Sequence, residues 1–238
     1  RNMKGLMTLT WRVSDGVDAK LSYIAEAPWD RENRLASSRE AYFRYAVKCY
    51  GAAAAAAVTE IIDENEAFAT DASECMYTPL PSGKDRTGDI AKAREQLGVI
   101  EGAMAETADQ ACRERLHRLH CRIRAVEAFC RLDQNIGKMG AKELTETFRT
   151  FVECFVRRID DISTLGNLFS VENRYVQEWY LKRMEELGAD LRAASEKIEE
   201  DSGELQVLML SPTTVIREQS GWDVRAAVIG GKRGKKKE

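Results

Sequence analysis

The sequence has little excess charge of either sign and no long hydrophobic run. Its 36 Lys and Arg against 39 Asp and Glu leave a net charge of −3 over 238 residues. So small an imbalance creates no field that selects a nucleic acid or a membrane surface as partner. No apolar stretch approaches the roughly 20 residues a membrane-spanning helix needs. A glycine-rich phosphate loop, a Gly-x-Ser-x-Gly elbow and a zinc-protease motif are all missing. No basic-aromatic surface of the kind that binds nucleic acid is interleaved along the chain.

What is there reads as globular and helix-rich. Hydrophobic residues make up 44% and charged residues 32%, and this length buries a good core in one or two domains. Six cysteines occur, Cys49, Cys75, Cys112, Cys121, Cys130 and Cys154. An even count permits disulfides, but the chain is not a short cysteine-dense scaffold. Cys112 and Cys130 share a helical face with Leu116, Leu119, Ile123 and Val126. They are expected to be buried small hydrophobes.

The fold class expected is mainly α: a helical bundle after a terminal β/α piece, with a short β segment at the C-terminus. Residues 5–11 are the best strand candidate, and 18–27 read as a short helix. Ser37-Ser38 followed by Glu40 resembles a helix start, because a hydroxyl cap satisfies free backbone N–H groups. That helix should stop at Gly51. The six alanines Ala52 to Ala57 begin another helix that continues into Val58, Ile61 and Ile62. The alanines either permit close backbone packing or are low-complexity drift.

Residues 1–70 form the first expected unit and 71–88 a linker, because Thr78-Pro-Leu-Pro-Ser-Gly83 and Gly88 cannot continue a helix. A helical bundle is expected over 89–203, with helices at about 89–105, 107–136, 141–159 and 171–200. Cys112 to Cys130 form a stripe at spacings of four and three, and Leu144, Phe148, Phe151, Val152, Phe155 and Ile159 form another. Ser163-Thr-Leu-Gly-Asn-Leu-Phe169 should interrupt. Residues 204–229 hold β-like runs, Leu205 to Pro212 and Trp222 to Ile229. Residues 230–238 read as a disordered basic tail.

Candidate chemistry is sparse. His117, His120 and Cys121 fall within about one helical turn, but a closed zinc site needs four ligands, usually from more than one segment. No second cluster is visible, so no metal and no cofactor is expected. The pairs Asp160-Asp161 and Glu185-Glu186 diverge on a helix and usually form solvated faces, so no catalytic residue is assigned. Trp11 and Arg12 end the first β-prone run. An aromatic at the C-terminal end of a barrel strand faces the active-site mouth. Trp11 offers a flat platform for a sugar ring there, and Arg12 bonds hydroxyls or a carboxylate. The alternative is that Trp11 and Trp29 pack the strand against its helix.

Gly5 to Arg12, followed by Ala-Glu-Ala-Pro-Trp29, resembles the last strand and helix of (β/α)8-barrel glycoside hydrolases. The look-alikes are of the β-N-acetylhexosaminidase and α-glucuronidase type and their bacterial relatives. Tyr42 to Gly51, Ala93 to Leu97, Arg113 to Asp133 and Ser163 to Leu168 look like the segments after the barrel. The resemblance implies a carboxy-terminal, largely helical part of a carbohydrate-active enzyme, not catalytic alone. Trp11, with Arg12 beside it, is then the sugar-facing position, and carbohydrate is the partner of the complete protein. In such enzymes the catalytic carboxylates lie on earlier strands. The second reading is a self-contained helical bundle serving as a protein-interaction or scaffold module.

Overall fold

The computed structural model describes residues 18–29, 37–63, 78–165, 182–183, 185–191 and 193. Of these, 84% are helical and none lies in a strand, so the chain is mainly α. The expected strands at 5–11 and 205–229 lie outside the described residues. No helix among the described residues is long and apolar enough to cross a membrane.

The helices in chain order are α1 (Asp18–Glu26), α2 (Ser38–Tyr50), α3 (52–63), α4 (Thr87–Glu106), α5 (Gln110–Asn135), α6 (Ala141–Leu165) and α7 (185–191). A 3-10 turn, Ala27–Trp29, follows α1. The chain divides into two compact units. Unit 1 holds residues 1–70 and 98–120, and unit 2 holds 71–97 and 121–238.

In unit 1, Ser37 caps α2 as its sequence signature predicts. Its hydroxyl accepts the Glu40 N–H at 3.3 Å, satisfying one of the free donors of the first turn. Helix α1 packs on α2. Ala41, Tyr42 and Ala46 of α2 are buried. On α3, Ala54, Ala55, Val58 and Ile61 are buried, at spacings of one, three and three. The alanine run therefore supplies half of a helical core face, which is the close-packing use of alanine rather than an idle repeat. Arg39 of α2 pairs with Glu60 and Asp63 of α3, all at least a third exposed, so these pairs add little stability.

Unit 2 is built on α5 and α6. Ile123, Val126, Phe129, Cys130 and Leu132 of α5 are buried, as are Leu144, Phe148, Phe151 and Val152 of α6. Phe129 and Phe151 meet with ring centroids 6.1 Å apart. Fully burying side chains of this size stabilises by about 1.5–3 kcal/mol each. Around them, Glu127 accepts from Arg94 of α4 at 3.0 Å, while Arg131 reaches Glu143 of α6 at 2.8 Å.

Three details differ from expectation. Helix α6 runs to Leu165, past the anticipated break at Ser163. Serine and threonine are only weak helix breakers, and the first glycine after them is Gly166. Cys112 is half-buried rather than buried, because it falls in the first turn of α5, at the end of the stripe. Trp29, which the alternative reading packs between a strand and its helix, is 77% exposed.

Candidate functional site

Among the described residues, a dense set of polar contacts lies where the sequence breaks between α3 and α4. Pro79 and Pro81 lack N–H donors, and the segment is not helical. Its other backbone groups need partners from elsewhere in the chain. Two regions of unit 2 supply them. From α5, Asp133 Oδ1 accepts the Ser82 N–H at 2.5 Å, and Asp133 Oδ2 accepts the Ser82 hydroxyl at 2.5 Å. Gln134 Oε1 accepts the Arg86 N–H at 2.5 Å. From the C-terminal helical turns, Asp190 Oδ2 accepts the Leu80 N–H at 3.2 Å, and Arg183 donates to the Thr78 carbonyl.

At the centre sits an ion pair. Arg86 Nε donates to Asp133 Oδ2 at 2.8 Å, with the two side chains 5% and 0% exposed. Arg86 Nη1 also reaches Asp89 at 3.2 Å. Asp133 thus takes three donors: a backbone amide, a hydroxyl and a guanidinium. Charge-assisted bonds of this kind are what permit a buried carboxylate.

The loop delivers Arg86 by local means. Gly83 turns at φ 76, in the left-handed region. The Ser82 hydroxyl accepts the Lys84 N–H at 3.2 Å. Asp85 Oδ1 accepts both the N–H and the hydroxyl of Thr87, at 3.0 and 2.7 Å, at the start of α4. Those two bonds hold the Asp85 carboxyl below its ordinary value. The Arg86 carbonyl then accepts the first helical bond, from Ile90 at 2.9 Å.

Chemically, this arrangement is an anchor. A general acid or base must reach the proton it moves. Asp133 is fully enclosed and its oxygens are engaged within the protein. The composition of the loop, Ser82-Gly-Lys-Asp-Arg-Thr87, is the signal that marks it: polar residues cluster between two prolines and a helix. Its prolines and glycine mark a break in the helices, while its partners lie far away along the chain.

Trp11 and Arg12 lie outside the described residues. The histidine group is arranged as follows. His117 and His120 stand with ring centroids 6.4 Å apart, and His120 Nε2 meets Glu101 Oε1 at 2.9 Å. Cys121 is buried. Among the described residues no three His, Cys, Asp or Glu side chains gather as a metal site. No protein-family model matches the chain, and neither a curated protein nor a solved structure is found to match it.

Proposed function

We propose that this chain is a helical interaction module, one that acts by presenting a helix surface to another protein. The observation that carries the reading is on α2. Phe43 and Val47, one helical turn apart, are 45% and 39% exposed, while Ala41, Tyr42 and Ala46 face the core. Arg44 and Lys48 flank the pair and are also exposed. Apolar residues at i and i+4 with a charged border are the anchors of helix-in-groove recognition. The carbohydrate-active reading draws support from the Trp11-Arg12 pattern and the resemblance of the sequence alone, so the interaction module is preferred.

The test places a photo-cross-linking residue at position 43 in cells that make the chain. A discrete protein adduct should form, and Val47→Asp should abolish it. The same probe at Lys142, an exposed position on α6, should give none. Equal adducts from both positions, or none from 43, would remove the reading.

A further inference from the structure

What covers Phe43 and Val47 can be read from the charges on either side of them. With about 100° between successive residues of a helix, Arg44 and Lys48 fall on one side of the pair and Arg39 on the other. Arg44 and Lys48 are exposed, and Glu40 accepts from Arg44 at 2.8 Å. Two cations and one carboxylate leave that border with an excess positive charge. On the opposite border, Arg39 reaches across to Glu60 and Asp63 of α3. One cation and two carboxylates leave that border with an excess negative charge. The apolar pair therefore sits between borders of opposite sign, both within unit 1.

We propose that the occupant of this face is a second copy of the same chain, paired through α2 about a two-fold axis that runs parallel to the helix. The choice of occupant rests on the interaction reading, since it concerns the same surface. Half a turn about that axis lays Phe43 and Val47 against the same two residues of the other copy. It also brings each basic border to the other copy's acidic border, twice by symmetry. Arg44 and Arg39 stand five residues apart, about 7.5 Å along the helix. Arg44 of one copy therefore comes within side-chain reach of the Arg39, Glu60 and Asp63 group of the other. A two-fold axis across the helix would instead run the copies antiparallel and set Arg44 and Lys48 against themselves, which is unfavourable.

The spacing on α2 suits the parallel arrangement. Tyr50, half-buried, continues the pair, so Phe43, Val47 and Tyr50 recur at intervals of four and three. That is the seam of two parallel helices wound together, in which each seam residue meets its own counterpart. Helix α2 has 13 residues and is about 20 Å long, so the seam is short. Stable interfaces bury about 1,600 Å² in all, and a contact built on so few large side chains gives weak, reversible pairing. The borders then set the orientation of the two copies more than the strength of their association.

The experiment runs the full chain by sedimentation velocity from about 5 to about 500 µM, a range that spans weak association. The mass should move from one chain toward two across that range. Val47→Asp, checked for helical content by circular dichroism, should stay at one chain throughout. Arg44→Glu should weaken the pairing by roughly three- to tenfold, since exposed ion pairs are worth little singly but count twice here. Adding Glu60→Lys should restore most of that loss. Val47→Cys under mild oxidation should join position 47 of one copy to position 47 of the other, as peptide mapping can show. A single chain at every concentration would overturn the proposal. So would a dimer indifferent to Val47→Asp, or one in which position 47 does not link to its counterpart. If the chain stays single while position 43 still cross-links a different protein, the second copy is removed and the interaction reading stands. If position 43 gives no adduct at all, both fall.

Discussion

Asp109 stands immediately before α5, and its Oδ1 accepts the Cys112 N–H at 2.8 Å. The bond satisfies a free donor of the first turn, and the negative charge sits at the positive end of the helix. Two shifts follow from one contact. The Asp109 carboxyl is held below 3.8, first by the Cys112 N–H and then by its side chain. The Cys112 thiol is pushed up, chiefly by its bond to Asp109. A carboxyl lowered in the folded state contributes stability above its unfolded value, and that contribution is lost as pH falls through the folded one. Asp109→Ala should therefore melt a few degrees lower than the parent chain at pH 7. The gap should close as the pH is taken down from about 4, around the unfolded value. Separately, Asp109→Asn should speed alkylation of Cys112 at pH 8, because the thiol loses the neighbour that disfavours its ionisation. An unchanged rate would mean that the thiol does not feel Asp109.

At the scale of elements, the junction of α2 and α3 depends on Gly51. The residue adopts φ 86, ψ 158 while its N–H bonds the Val47 carbonyl at 3.2 Å. That backbone region is open essentially to glycine alone, and another residue forced into it costs about 1–3 kcal/mol. Space is not the obstacle, since a Cβ there would meet Cys112 Sγ at 3.7 Å, an ordinary contact. Gly51→Ala should destabilise by about 1–3 kcal/mol in denaturant unfolding. Adding Cys112→Ala should not restore the loss. Recovery in the double variant would show crowding rather than backbone strain. This junction was legible in the sequence: Ser37 and Glu40 mark the start of α2, Gly51 marks its stop, and alanines open the next helix. The stripe Leu116, Leu119, Ile123, Val126 and Cys130 was equally legible, because helical burial follows local spacing. The exposure of Trp29 was not, since spacing alone does not say which element, if any, covers a given aromatic.

For the whole molecule, the same contrast separates local from distant information. That 78–86 interrupts the helices can be read from Pro79, Pro81 and Gly83. What holds it cannot, because its partners Asp133, Gln134, Arg183 and Asp190 are 47 to 110 residues away along the chain. Such ties exist only once unit 2 has assembled. Hydrogen exchange can read them one by one. The amides of Leu80, Ser82 and Arg86 should exchange slowly although none is helical, since each is bonded to a distant side chain. Asp190→Ala should release Leu80 while Ser82 and Arg86 stay protected. Asp133→Ala should release all three, because it removes the buried carboxylate from a guanidinium that is almost fully enclosed. The cost should be about 3 kcal/mol, the low end for a broken buried pair, as Asp89 still reaches Arg86 at 3.2 Å. If Asp190→Ala frees the whole segment, or Asp133→Ala frees only Ser82, the loop is held by separate pins and not by a clamp centred on Asp133.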